Sequence, residues 1–335
     1  MCPCWPMSSR QLERVIQRCF QAMGTEISVL VSGRPDPALP EPDAMLEAVE
    51  QELIAFDRRL SRFHASSELS ALNGDAREDV PASALLRGAV RAGIWGGERS
   101  GGLVDLTLLA SLEAAGYAAS RSGRASAPLA DALAVAPARR PARPDPRAAW
   151  RSIRVLDEAG LVRRPPGLRF DLGGIGKGLA VDMIADRLAA YGRYAIDCGG
   201  DLRVGGTDPG QEPIEIEVRH PMAGAAADTF TVWRGAVATS GIDARLWRRP
   251  DGRYAHHLID PATGDPAWTG VICATARATT ALEADVLAKA ALLSGHAGAR
   301  RLLADSGGLL VDDDGRVERI GPLHDPPRVR ITLPS

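Results

Sequence analysis

Aromatic residues make up only 4% of this 335-residue chain. None is interleaved with its arginine-rich stretch, so the stacking platforms that single-stranded nucleic acid needs are missing there. Charge of one sign is not in excess either. Forty Lys and Arg stand against 42 Asp and Glu, a net −2 with a pI near 6.3. That excludes a protein organised around nucleic acid, though a local basic patch remains open. Cysteine is sparse: Cys2, Cys4, Cys19, Cys198 and Cys273 are odd in number and irregular in spacing. They do not read as a disulfide framework, and free thiols are expected. Cys2 and Cys4 lie too close for the usual zinc pair and lack a His/Cys cluster to complete it. No run reaches the roughly 18–20 apolar residues of a membrane span. The start of the chain lacks the apolar stretch of about 7–15 residues of a signal peptide. The expectation is a cytoplasmic protein with no membrane insertion and no nucleic-acid partner.

What is present is an ordinary globular composition, 45% apolar and 24% charged, with a surplus of 35 Gly and 24 Pro. The glycines are either filler or backbone pieces of a site. Residues 1–18 read as a flexible leader, and 19–325 as a single domain carrying an Ala/Pro/Arg-rich insertion at about 118–150, solvated or lid-like. Glu26 to Val31 reads as a strand. Leu46, Val49, Leu53, Phe56 and Leu60 recur at helical spacing, with Pro42-Asp43 as a start signal. Later, Phe170 to Leu172 closes a short strand, Leu179 to Tyr191 is a helix, and Tyr194 to Cys198 is a strand. Strands at Ile214–Val218 and Thr229–Trp233 precede a helix from about Leu282 to Leu293. Without a strict βαβ rhythm, the class is α+β.

Gly173-Gly174-Ile175-Gly176-Lys177-Gly178 invites a nucleotide reading but fails both familiar patterns. The phosphate loop would need Gly at Asp171 and Ser or Thr at Gly178; the dinucleotide fingerprint would need Gly at Leu179. What survives is a glycine turn before a helix N-terminus, where N–H groups and Lys177 can face an anion, or a plain turn with a solvated lysine. Other polar clusters accompany it: Thr239-Ser240-Gly241, His256-His257 leading to Asp260-Pro261, and Asp285 on an apolar helix.

These pieces, with Met23-Gly24-Thr25, Phe63, Ser67 to Asn73, Val104-Asp105-Leu106-Thr107, Ala180-Val181-Asp182, Gly199-Gly200-Asp201 and Thr263-Gly264, occur in an order that resembles the ApbE-like FAD:protein FMN transferases. The resemblance runs from Met23 to about Gly295. It implies a two-lobed α+β fold of mixed or antiparallel sheets with FAD in the cleft between lobes. It also implies transfer of FMN from FAD to a Ser or Thr of a target flavoprotein, with release of AMP. It assigns cofactor contact to Met23, Phe63, Leu103, Val104, Asp105, Asp171, Lys177, Ser240, His257 and Ile259, and Mg²⁺ to the Gly174 carbonyl and Asp285. One departure stands out: many relatives carry a metal-ligating Thr where this chain has Lys289. An ammonium has no lone pair for a metal. Lys289 either pairs with Asp285 one helical turn away and takes over part of the metal's role, or points outward and leaves the metal in place.

Splitting the pyrophosphate of FAD needs a proton acceptor and positive charge over the phosphates. His257, titrating near neutrality, is the expected base. Asp171 and Lys177 complete the catalytic set, and Asp260 orients either the turn or the imidazole. His256 should face away. The competing readings are an FAD-binding relative without transfer and a slow FAD pyrophosphatase.

Overall fold

The structure is a computed structural model that describes residues 15–210 and 212–323. The chain opens with a hairpin, β1 (Val15–Ala22) and β2 (Thr25–Ser32). Its two-residue turn puts both Met23 (φ 56°) and Gly24 (φ 71°) in the left-handed region. Such turns match the twist of the flanking strands. Glycine adopts that conformation freely, whereas Met23 bears a cost of roughly 1–2 kcal/mol. The Met23 N–H donates to Asp57 Oδ2 at 3.1 Å, which helps hold it there. Residues 15–18, expected in a flexible leader, are thus strand; Ile16 and Phe20 pack against the core and the ladder is complete from Val15 to Ser32. The rest of that expectation, 1–14, lies outside the described residues.

Helix α1 (Pro42–Leu60) forms as its spacing predicts, burying Leu46, Val49, Leu53, Phe56 and Leu60. Helices α2 (Glu68–Gly74) and α3 (Ala84–Arg99) are each capped by a serine hydroxyl, Ser67 and Ser83, and β3 (Asp79–Pro81) runs between them. Two short helices, α4 (Leu109–Ala114) and α5 (Leu129–Ala134), lead to β4 (Arg154–Leu156) and β5 (Leu161–Arg163), which join β3 in a small sheet. Then come α6 (Gly176–Leu188), β6 (Arg193–Cys198), β7 (Asp201–Gly205), β8 (Ile214–Arg219), β9 (Ala226–Val232) and β10 (Gly235–Gly241). The chain closes with β11 (Leu246–Arg248), β12 (Tyr254–His256), β13 (Val271–Ala278), α7 (Ala281–Leu303), β14 (Gly308–Asp312) and β15 (Val317–Ile320).

Eight strands form one antiparallel sheet in the order β1-β2-β6-β7-β10-β13-β14-β15. Its inner strands are buried on both faces. Ile27, Val29 and Val31 join the cluster built on α1 and α6, while Leu30 joins the cluster that includes Ile214, Ile216 and Phe230 of the β8–β9 hairpin. Residue-by-residue alternation is the reason, since successive side chains leave a strand on opposite sides.

Three local expectations need correction. Phe170–Leu172 joins no ladder, because the Asn73 side chain brackets Phe170, accepting from its N–H at 2.7 Å and donating to its carbonyl at 2.8 Å. Helix α6 begins at Gly176 rather than Leu179, so part of the glycine loop is its first turn. The 118–150 segment is irregular but not simply solvated. Ala132, Ala142 and Trp150 are buried. Its backbone is satisfied against neighbours: the Arg140 N–H donates to Trp268 O, Ala142 N–H to Leu293 O, and Arg143 N–H to Asp260 Oδ1.

Among the cysteines, Cys198 and Cys273 are buried free thiols, whereas Cys19 is disulfide-bonded, against the expectation of free thiols throughout.

Candidate active site

A cavity of about 640 Å³ opens between the end of α1, the start of α6, the chain after β12 and the face of α7. Met23, Phe63, Leu103, Val104, Asp105, Asp171, Gly174, Lys177, His257 and Ile259 all line it, and so does Lys289. Ser240 is not brought to it. That residue sits buried within β10, opposite Ala274 of β13. Asp285 is likewise absent from the lining, fully buried on α7.

The helices that carry the lysines are locked together. Asp182 of α6 accepts from the N–H groups of Ala281 and Leu282 at 2.8 and 2.9 Å, filling two of the open donors at the N-terminus of α7, and also pairs with Arg203. Gly178 is the contact point: a Cβ there would lie 2.7 Å from Leu282 Cα and 2.8 Å from the Ala281 oxygen. This glycine serves helix packing rather than an anion.

Lys177 is docked, not solvated. Its Nζ lies 3.1 Å from Asp201 Oδ2 and donates to the Gly199 carbonyl at 3.1 Å. The β6–β7 turn can approach only because Gly199 (φ 58°) lacks a Cβ, which would fall 2.2 Å from Thr25 Oγ1. Burial pulls the Lys177 ammonium down, but the Asp201 and Asp285 carboxylates outweigh it and push it up to about 12. Burial, with help from Asp285, pushes Asp201 up to about 6 against the opposing lysines.

On α7 the Lys289 ammonium pairs with Asp285 Oδ1, one turn away. This decides between the two expectations for Lys289, which does not point outward. Asp285 Oδ2 is buried without a hydrogen-bond partner.

His257 differs from expectation in its protonation. Burial, then Arg245, His256 and Lys289, hold its imidazole well below the ordinary value, so it is neutral at pH 7 rather than poised near neutrality. Its Nδ1 is buried and unpartnered. His256 does face away, edge-on to Trp268 with ring centroids 4.9 Å apart. Asp260 touches the turn and not the imidazole: its Oδ1 accepts from Arg143 N–H at 3.0 Å and Ala262 N–H at 3.1 Å. The Pro/Arg segment therefore braces the loop that carries His257.

Asp171 has both oxygens engaged. Oδ2 accepts from Arg62 Nε at 2.5 Å, and Oδ1 from the Gly173 N–H at 2.9 Å. Burial raises Asp105 above the ordinary carboxylate range, although Thr107 donates to it twice.

Sequence reasoning missed several wall residues. Arg62 also donates to Tyr117 O at 2.7 Å and lies 4.1 Å from the Phe63 ring centroid. Tyr117 packs between Phe63 and Trp247, at 5.4 and 5.5 Å. Arg121, Arg124 and Arg245 add cations to the rim. No motif flagged these residues; only the adjacency of Arg62 to Phe63 was a signal. The cavity wall therefore combines aromatic rings that carry a guanidinium group over their faces with two lysines and a neutral imidazole.

The sequence profile of the ApbE family matches residues 23–311. An FAD:protein FMN transferase of Treponema pallidum is 29% identical over 349 residues, covering 99% of this chain and 93% of its own. One from Klebsiella pneumoniae is 28% identical over 295 residues, covering 86% and 81%. Among solved structures, the ApbE protein of Thermotoga maritima superposes with a TM-score of 0.74 at 26% identity, covering 92% of this chain and 97% of its own.

Proposed function

This chain belongs to the ApbE family, and from that premise we propose that it binds FAD in the cavity and transfers FMN to a Ser or Thr hydroxyl of a target flavoprotein, releasing AMP. That it is a transferase moving FMN from FAD to a protein follows from its relatives. The cleft position of FAD and the hydroxyl acceptor are our reading. The observation that carries it is the convergence of neutral His257 with the Lys177 and Lys289 ammonium groups in the wall of one cavity that Phe63 and Tyr117 also line. Its volume falls within the roughly 300–1,000 Å³ of ligand pockets. A flavin or adenine ring suits the Phe63–Tyr117 pair and a pyrophosphate suits the lysines.

In the transfer, the acceptor oxygen bonds to the FMN phosphorus while the bond from that phosphorus to the oxygen of AMP breaks, and AMP leaves with the electron pair. The hydroxyl proton goes to His257. A neutral imidazole is in the accepting state, and the negative charge of the bound pyrophosphate favours its protonation as the proton arrives. Lys177 and the rim arginines balance charge that grows on the leaving phosphate. Asp171 acts through Arg62, shaping the glycine loop.

The resident Mg²⁺ that the resemblance implies does not fit the residues present. Asp285 Oδ1 is already taken by the Lys289 ammonium, whose positive charge one turn away opposes a cation at the remaining Oδ2. Among the described residues, no group of three or more His, Cys, Asp or Glu side chains could hold a metal. No step is therefore routed through one.

Incubation with FAD and a flavoprotein domain bearing the acceptor hydroxyl tests the reading. A fluorescent target band on a denaturing gel is expected. Release of AMP without that band would replace transfer with hydrolysis. His257→Ala should slow transfer about 10²-fold or more while leaving FAD affinity within a few fold; equal losses would make His257 a binding residue. We place the acceptor in the cytoplasm, a placement that the Cys19 disulfide opposes, since thiols stay reduced there. Alkylation of Cys19 by a permeant maleimide in intact cells would support it.

A further inference from the structure

We propose that Lys289, as a resident ammonium paired with Asp285, supplies the cation that a divalent metal would otherwise bring to the pyrophosphate, so that this chain transfers FMN without a metal. The inference rests on the transferase reading and concerns the same cavity.

Four ionisable side chains from three elements meet here: Lys177 of α6, Asp201 of β7, and Asp285 and Lys289 of α7. Asp285 and Asp201 are both fully buried, and Lys289 is 7% exposed. Burying a charge without compensation is costly, so such a cluster persists only when its charges cancel. They do: Lys177 and Lys289 offset Asp201 and Asp285, the Asp197 carboxylate that acts on Lys177 is matched by the Arg245 guanidinium that acts on His257, and neutral His257 adds nothing. No net negative charge remains to recruit a divalent ion. With a hydroxyl in place of Lys289, the same cluster would carry a surplus negative charge and a free Asp285 Oδ1. Both are features of a cation site.

The geometry also gives the ammonium access to substrate. Asp285 precedes Lys289 by one helical turn, the favourable order for such a pair, and Asp182 fixes the start of the helix that carries both. Asp285 occupies one of the three N–H donors of Lys289. Lys289 itself lines the cavity, and Asp285 does not. The remaining donors can reach phosphate oxygens there, in the same wall as the imidazole that takes the proton and whose protonation Lys289 already disfavours. The ammonium acts by donating hydrogen bonds to the developing charge in a water-poor wall.

The test compares wild type with Lys289→Thr, using FAD and the acceptor domain in EDTA or in Mg²⁺. Wild-type transfer rates should agree within about twofold in the two conditions, and Mg²⁺ calorimetry with and without FAD should show no stoichiometric binding. Lys289→Thr should lose about 10²-fold or more in EDTA, regain transfer with Mg²⁺, and now bind Mg²⁺. Wild-type transfer that stops in EDTA and returns with Mg²⁺, or stoichiometric Mg²⁺ binding by wild type, overturns the proposal. The wild-type measurements stand even if the variant fails to fold. If no covalent flavin forms under any condition while FAD still binds, the transferase reading fails instead, and Mg²⁺ calorimetry on the FAD complex still decides the role of Lys289.

Discussion

Replacing Gly178 by alanine sets two physical effects against each other. In a helix interior, alanine is favoured over glycine by roughly 0.5–1 kcal/mol, because glycine loses more backbone entropy on folding. On propensity alone, Gly178→Ala stabilises the protein. The new methyl, however, would sit 2.7 Å from Leu282 Cα and 2.8 Å from the Ala281 carbonyl oxygen. Carbon atoms pack at about 3.5–4.0 Å, so α6 and α7 must separate by about 1 Å. Both obstructing atoms are backbone, and Asp182 ties that backbone to α6, so no side chain can swing aside. Overpacking of this kind costs about 1–3 kcal/mol, and a backbone clash belongs at the upper end. The net expectation is a loss of about 1–2 kcal/mol after the propensity gain. At roughly 2 °C per kcal/mol for a protein of this size, the melting temperature should fall by about 2–4 °C. FAD affinity should weaken too, since Lys177 and Lys289 ride on the displaced helices. Gly88→Ala on α3 is the control: nothing lies within 4 Å of its Cβ position, so it should raise the melting temperature slightly. Differential scanning calorimetry of both variants measures the two signs. A Gly178→Ala protein as stable as the Gly88→Ala control would refute the claim that this glycine exists for the helix contact.

Arg62→Ala removes the partner of Asp171 and a donor to the Tyr117 carbonyl, both nearly buried. A stability loss of about 2–3 kcal/mol is expected, together with weaker FAD binding. Arg62→Lys should recover only part of each, because an ammonium cannot span both acceptors as the planar guanidinium does. Unchanged melting for Arg62→Ala would contradict the pairing. His256 contributes to acid sensitivity: burial pushes its imidazole down to about 3, against 6.5 for an ordinary histidine. The unfolded chain therefore takes up a proton that the folded chain refuses, so the contribution is intact above pH 6.5 and lost as pH falls toward 3. The stability gap between wild type and His256→Gln, from urea midpoints, should narrow between pH 7 and pH 4; a constant gap would show that His256 does not titrate on unfolding.

The elements that depend on local rules were legible in the chain. Apolar spacing and Pro42 marked α1, because side-chain period and backbone geometry are tied within a few residues. Motif order gave the family and about half of the residues that line the cavity. Composition misled in the Pro/Arg segment, whose N–H groups find carbonyl and carboxylate partners far along the chain. Phe170 read as strand for a similar reason: the amide that satisfies its backbone belongs to Asn73. Arg62 meets Asp171 across 109 positions, and no local pattern signals such a pair. Protonation was the least legible property. Residue type says that His257 can take a proton, but desolvation and neighbouring cations set where it does so. Lys289 shows the same division. Its spacing from Asp285 allowed an ion pair or an outward lysine, and burial on α7 chose the pair, since an ammonium in a dry wall must keep a carboxylate beside it.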